Sequence, residues 1–398
     1  MDAGRPLTIV HTESSWGWGG QEVRILTEAR GFLERGHDVR VVCTPESTMA
    51  RRAHEFGVPA ETIDIQKKNG AGLKAAYNWL RRNSVDIINT HSSTDSWLFS
   101  LAARGMRRRP GIVRTRHVGL PVSRNIASNW LYRRGADFVV TCGVEIVNSL
   151  ATRNGVRREK MRSIPTGIDT TRFQPGDPIA ARKELGLPLD RKLVGIVAAL
   201  RREKGHIHLC EAMRDLPRDD FDLVFVGDGL SRPMIEEKIE ELGLSARVHR
   251  VGHQANVVRW LQALDLFALP SFGSVEGVPQ SIMQAMSCQL PVLTTSAGSI
   301  REAVEHEVTG LIVPPGDVAS LASSLNRLLD DEALCRRLAE AGHCVAQQRF
   351  RFETMLDRME EVFYRVHASS PAGKAGARFC LIPRQIEGGT ESMKRKSA

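Results

Sequence analysis

No stretch of this 398-residue sequence runs uninterrupted for about 18 apolar residues, so no helix is predicted to span a bilayer. The opening residues, MDAGRPLTIVHTESS, lack the basic-then-apolar order of a secretory signal and lead directly into a strand. Cysteine is scattered. Cys43, Cys142, Cys210, Cys288, Cys335, Cys344 and Cys380 include no CxxC pair, and their number is odd. That pattern argues against a zinc site and fits reduced thiols in a cytoplasm. The GxGxxG dinucleotide fingerprint is missing, as is the acid that would hold a dinucleotide ribose, which disfavours a nicotinamide dehydrogenase. No aromatic platform or recognised motif accompanies the basic residues, so nucleic acid is the least favoured partner.

What is present is an ordinary globular composition, 42% hydrophobic and 25% charged, on a chain long enough for two domains. The net charge of +9 is uneven. Residues 104–162 carry fourteen Arg or Lys against Asp137, Glu145 and Glu159. An excess of this kind is either a solvated basic surface or an attractor of anions: donor or acceptor phosphates, or an anionic membrane.

Strand-like and helix-like segments alternate along the chain. LTIVHT (7–12), DVRVVCT (38–44), VDIINTH (85–91), GIVRTRH (111–117) and DFVVTCG (137–143) are short apolar runs, as strands buried on both faces must be. Helical stretches at 21–36 and around 47–56 lie between them. The segment 162–178, rich in Pro, Gly and Thr, is the expected inter-domain linker. A second series follows: LVGIVAAL (193–200), DLVFVGDG (222–229), RVHRVG (247–252), LFALPS (266–271), PVLTTS (291–296) and GLIVPP (310–315), with a helix at 231–243. The expected fold is α/β, with two Rossmann-like doubly wound domains facing a central cleft at the carboxyl ends of parallel strands. The expected boundaries are 1–168 for the first domain and 169–346 for the second. An amphipathic helix is expected at 347–367, packing back on the first domain, and a disordered tail at 368–398.

Three loops could carry chemistry. Ser14–Gly20 leaves the first strand and enters a helix; it is either a tight turn or a place where backbone N–H groups approach an anion. The loop from Leu200 to His206 puts Arg201 and Lys204 at a strand's carboxyl end, where they are either surface cations or the counter-charge of a diphosphate. In PSFGSVEGVPQSIMQAMSCQLPVL (270–293), Glu276 precedes a helix N-terminus, as a helix cap or as an acceptor of sugar hydroxyls. Asp220-Phe221-Asp222 has the spacing of a metal-binding DxD motif but reads as a polar turn, and no catalytic metal is expected.

Residues 270–317 resemble the donor-binding signature of family 4 of the retaining glycosyltransferases, the "group 1" family with the GT-B fold. IPTGIDTTRF (164–173) is similar to that family's inter-domain segment, and the likeness spans roughly residues 7–367. The resemblance implies that Gly19 and Gly20 let the first-domain loop approach the donor phosphates and the acceptor. It implies that Lys204 binds the diphosphate, that Glu276 holds donor-sugar hydroxyls, and that the Gly277 and Val278 amides cap the sugar or phosphate. His117 resembles the family's cleft histidine that contacts the donor sugar; His91, ending another strand, carries less weight. Three features depart from the family pattern. Gln284 stands where a second glutamate usually binds the ribose, and an amide still accepts one hydrogen bond there. Ala199 occupies the usual arginine position, with Arg201 supplying the charge instead. The loop from Ser271 to Glu276 is longer than the commonest form.

The resemblance thus implies a metal-independent enzyme without a further cofactor that transfers a sugar, with retention, from a nucleotide donor to a glycan or lipid-linked acceptor. It further implies a role in polysaccharide or lipopolysaccharide biosynthesis, in the cytoplasm or at the inner face of its membrane. A non-catalytic sugar-nucleotide-binding protein and a nucleotide-sugar epimerase of the same fold are the alternatives.

Overall fold

The computed structural model describes residues 5–273 and 276–374. Among the described residues thirteen strands form two sheets, parallel throughout. The first contains β1 (Thr8–Glu13), β2 (Asp38–Cys43), β3 (Ala60–Thr62), β4 (Ile87–Thr90), β5 (Gly111–Arg116), β6 (Phe138–Thr141) and β7 (Met161–Ser163). Their order is β3-β2-β1-β4-β5-β6-β7. The second contains β8 (Lys192–Val197), β9 (Phe221–Val226), β10 (Val248–Gly252), β11 (Leu266–Leu269), β12 (Val292–Thr295) and β13 (Leu311–Val313), in the order β10-β9-β8-β11-β12-β13.

The expected α/β fold with two doubly wound sheets is what the chain adopts. The central strands are apolar because helices cover both faces, leaving no solvent side on which polar residues could alternate. The first sheet accordingly has two separate cores. One includes Ile9, Ile25, Phe32, Val41 and Val140; the other includes Val10, Ile88, Phe99, Ile112 and Val139. Neighbouring residues of one strand, such as Ile9 and Val10, feed opposite cores. A third core fills the second domain around Phe225, Phe267, Ile282 and Leu325.

The chain passes between the domains twice, side by side. Ile168 pairs with Arg351 in an isolated parallel bridge: Ile168 N–H donates to the Phe350 carbonyl at 2.8 Å, and Phe352 N–H donates to the Ile168 carbonyl at 2.9 Å. Gly167 allows this approach, because a Cβ there would lie 2.6 Å from Phe352 Cα. This bridge corrects the helix expected at 347–367. The helix Glu332–Arg349 stops at the crossing, and a new one, Phe352–Ser369, starts after it. The new helix buries Met355, Met359, Val362, Phe363 and Val366 in the first-domain core with Ile9 and Phe32.

The start expected for the tail is also corrected. Ala368 and Ser369 finish the helix, and Ala372 N–H donates to the Arg109 carbonyl at 3.2 Å; residues 375–398, Cys380 included, lie outside the described residues. Among the described residues no helix is long and apolar enough to cross a membrane.

The returning helix makes first-domain stability depend on the far end of the chain. Phe363 is fully buried, with its ring centroid 5.2 Å from that of Phe32. Phe363→Ala should therefore destabilise the first domain by ~3–5 kcal/mol. Urea denaturation followed by tryptophan fluorescence reads this, since five of the six tryptophans precede residue 131. An unmoved midpoint would show that the helix is dispensable.

Candidate active site

Each sheet reverses its strand order once, between β1 and β4 and between β8 and β11. At such a point the connections leave toward opposite faces and open a crevice at the carboxyl ends of the strands. The loops with candidate chemistry follow β1, β8 and β11, so both crevices carry them.

In the second domain, two loops are pinned together. Gly205 is left-handed, with φ +79°, and a Cβ there would sit 2.1 Å from the Pro270 carbonyl oxygen. Phe272 N–H donates to the Glu203 carbonyl at 3.0 Å. The pinning places Lys204 Nζ 2.6 Å from Glu276 Oε1, which also accepts the Ser271 hydroxyl at 3.1 Å. Glu276 is therefore no helix cap but the partner of Lys204, and both side chains are largely buried. Arg201 is exposed, and its side chain has no partner among the described residues. Gln284 lies on the helix Gln280–Ser287, half-buried and likewise unengaged through its side chain. This helix and His206–Asp215 both begin without a side-chain cap. Their first-turn N–H groups present positive ends that suit phosphate.

In the first domain, Glu13 ends β1 and holds the glycine loop, accepting Ser15 N–H at 2.8 Å and Gln21 Nε2 at 2.5 Å. The helix Gly20–Glu34 follows; its N-cap, Gly19, has no side chain to cap it. A Cβ on Gly20 would lie 3.6 Å from Gln280 Nε2, so this loop faces the second domain directly. Gly19 is extended, at φ −171°, and other residues could adopt that backbone; its contribution is the space it leaves open.

Cys142 joins the halves. Its Sγ contacts the His117 carbonyl at 3.0 Å, and its own carbonyl accepts Val278 N–H at 3.0 Å. The His117 backbone is thereby tied, through Cys142, to the Gly277–Val278 segment of the second domain. Val278 is a correction: its amide is committed to Cys142 across the domain boundary, so it cannot also cap a sugar or phosphate in this arrangement. Among the described residues the Gly277 amide has no such partner. A second contact lies close by. The helix Val144–Asn154 is capped from the opposite domain, with Val144 N–H donating to Glu302 Oε2 at 2.8 Å and Glu145 N–H to Ser299 Oγ at 3.2 Å.

Beneath the first-domain half lies a buried polar network that the sequence reading missed. Arg24 pairs with Glu28, both fully buried, and Glu28 also accepts from Asn89. Asp95 accepts the Thr12 hydroxyl and the His91 and Ser92 amides. His11, His91 and His117 form a hydrogen-bonded row. Burial above all lowers the three histidines, His11 to about 3, and the Arg24 guanidinium pushes each in the same direction. The available signal was three histidines at or near the carboxyl ends of β1, β4 and β5, but only the strand order makes those strands neighbours.

Asp220 and Asp222 lie at the other end of their sheet. Asp222, inside β9, is held by Arg191 at 2.7 Å and His249 at 2.9 Å, while Asp220 pairs with Arg218. Both carboxylates are occupied away from the cleft.

A family model described as Glycosyltransferase Family 4 matches residues 18–172, and one described as Glycosyl transferases group 1 matches residues 178–344. The D-inositol 3-phosphate glycosyltransferase of Xylanimonas cellulosilytica is 26% identical, over 89% of this chain and 93% of the relative. The lipopolysaccharide core biosynthesis mannosyltransferase LpsB of Rhizobium meliloti is 30% identical over 47% of this chain and 56% of the relative. Among solved structures, a glycosyltransferase from Rickettsia africae superposes with a TM-score of 0.84 at 18% identity, over 92% of this chain and all of that one. Anabaena HepE, crystallised with UDP, gives 0.80 at 23% identity, over 90% and 100% of the two chains. The chain belongs to the group 1 glycosyltransferases of family 4 and has their GT-B fold.

The support under the glycine loop is testable through pH. Burial, and after it the Asp95 carboxylate, push Glu13 up to about 7. The folded protein therefore keeps a proton that the unfolded chain releases from its usual value of 4.5 upward, and stability falls as pH rises from 4.5 to about 7. Glu13→Gln should flatten that fall in a series of melting curves across the window. A slope equal to that of the wild type would contradict the assignment.

Proposed function

From this family membership we propose that the chain is a metal-independent retaining glycosyltransferase. It moves a sugar from a nucleoside-diphosphate donor to a glycan or lipid-linked acceptor in cell-surface polysaccharide or lipopolysaccharide assembly. The observation that carries the reading is the Lys204–Glu276 contact of 2.6 Å at the second-domain switch point. In the free cleft each charge satisfies the other. An entering donor offers a diphosphate to Lys204 and hydroxyls to Glu276, so the pair opens without leaving either charge unpaired.

The other residues take complementary roles. Arg201 adds a second cation, Gln284 hydrogen-bonds the ribose, and the Gly277 amide caps the sugar. Gly19 and Gly20 leave room for the phosphates and the acceptor, and His117 approaches the donor sugar from the opposite domain. As the glycosidic bond lengthens, the leaving phosphate gains negative charge; Lys204, Arg201 and the uncapped helix N-termini stabilise it without a metal. With the two domains in contact through Cys142 and Glu302, water is kept from the oxocarbenium-like centre. The acceptor attacks on the face the phosphate leaves, and a phosphate oxygen takes its proton, which retains the anomeric configuration.

The relatives support an anionic acceptor: one is named for inositol 3-phosphate, others for the lipopolysaccharide core. HepE, crystallised with UDP-glucose, puts UDP-sugars first among donors to try. A surface remote from the cleft supports contact with an anionic membrane. Arg5, Arg81, Arg82, Arg107 and Arg108 surround a cavity of about 550 Å³ beside Thr8 and Pro110, at the amino ends of β1 and β5. Gln284 and Ala199, at two positions the family uses for donor contacts, favour a second reading: donor binding without turnover.

A panel of UDP-, GDP- and ADP-sugars, with and without a membrane-lipid extract, tests the main reading through nucleotide release. Release should depend on one donor, survive EDTA and fall about 10²- to 10³-fold in Lys204→Ala and Glu276→Ala. Binding without release under every acceptor condition would favour the second reading. Separately, the protein should sediment with anionic vesicles at low salt and much less so as Arg107→Glu/Arg108→Glu; no binding at low salt would remove the membrane contact from the account.

A further inference from the structure

The histidine row beneath the cleft is a chain with two ends. His11 Nδ1 lies 3.0 Å from His91 Nε2, and His91 Nδ1 lies 2.9 Å from His117 Nε2. The rings stack pairwise, with centroids 5.2 Å apart in both pairs. Burial and the nearby Arg24 guanidinium disfavour a charge on each of them, and Arg114 adds to this at His91 and His117. Other charged groups close to the row are the Asp95 carboxylate, which accepts the His91 backbone amide, and Glu28, which is engaged by Arg24.

A neutral imidazole carries one N–H and one lone pair. Two hydrogen bonds among three neutral rings use two N–H groups, and both must run in the same sense along the row, because His91 can donate only once. The third N–H then stands at one end: on His11 Nε2 or on His117 Nδ1. His11 Nε2 is buried without a hydrogen-bond partner among the described residues. A buried N–H left unpaired is more costly than a bare lone pair, and the nearby Arg24 cation also favours the lone pair. His117 is the end that is only half-buried, and its carbonyl meets Cys142 Sγ, the side chain packed against Gly277.

We propose that His11 and His91 are positioning residues that lock His117 in its Nδ1–H tautomer, so that His117 offers the cleft a hydrogen-bond donor and no base. This rests on the reading that His117 faces the donor sugar. It adds that the partner group must be an oxygen acceptor, a hydroxyl or phosphate oxygen, and that Nδ1 takes no proton during transfer. Deletion of His11 would act without touching the substrate, through two intervening rings.

The test reads tautomers in the free protein, so its result stands whether or not transfer is ever detected. Protein labelled with ¹⁵N at histidine, with signals assigned by single His→Gln variants, is examined by long-range ¹H–¹⁵N correlation. The wild type should show His117 with Nδ1 protonated and Nε2 bare, the reverse of the tautomer free imidazole side chains favour. His11→Asn, whose amide can donate from the position of Nδ1, should keep that state. His11→Leu should move the His117 population toward Nε2–H, with the signals of distant His249 and His306 unchanged to certify the fold. An Nε2–H tautomer at wild-type His117 overturns the proposal, as does a His11→Leu spectrum in which His117 is unaltered.

Discussion

The contact between Gly205 and the Pro270 carbonyl is the constraint on which the second-domain half of the cleft depends. Only a residue without a side chain can hold φ +79° there with that oxygen 2.1 Å from where a Cβ would be. Because the two loops touch, the lysine after β8 and the glutamate after β11 share a hydrogen bond, and two helix N-termini start close by. A pair of opposite charges held by backbone geometry keeps its orientation when a ligand separates the partners. Such preorganisation lets electrostatics act on a leaving group without reorganisation during the reaction.

The first domain contributes a different kind of environment. Its crevice rests on groups kept neutral or internally paired: three uncharged histidines, Arg24 against Glu28, and a Glu13 whose carboxyl stays protonated to about pH 7. One wall of the cleft thus carries the charges, Lys204 against Glu276 with Arg201 exposed in the same loop, and the other offers directed hydrogen bonds with little net charge. A donor with a charged diphosphate and a neutral sugar matches that division. The domains meet through backbone amides capped in trans, at Val144, Glu145 and Val278. Contacts of this sort can form and release as a unit, which suits a cleft that must admit and discharge substrates.

Much of this was legible in the chain itself. Strands such as DLVFVGDG announce themselves because burial on both faces demands continuous apolar residues. The two strands that were missed, β3 and β7, have three residues each and lie at the sheet edges, so they need no such run. Lys204, Glu276 and His117 could be named from motif and position. What could not be read are features created by distant partners. The helix break at Phe350–Arg351 exists because Ile168 pairs there, and nothing local marks it. Nothing near Val278 in sequence marks its amide as taken, because its partner, the Cys142 carbonyl, comes from the other domain. The histidine row needs the strand order before three separate strand-end residues become one chain.

The central claim is that the cleft recognises a diphosphate through Lys204. Calorimetric titration with UDP, UMP and uridine, and with the corresponding guanosine and adenosine series, measures this most directly. The account predicts that for one base the diphosphate binds at least tenfold more tightly than the monophosphate, and that Lys204→Ala abolishes the difference. Equal affinity for diphosphate and monophosphate in the wild type, or a preference that survives the loss of Lys204, would contradict it.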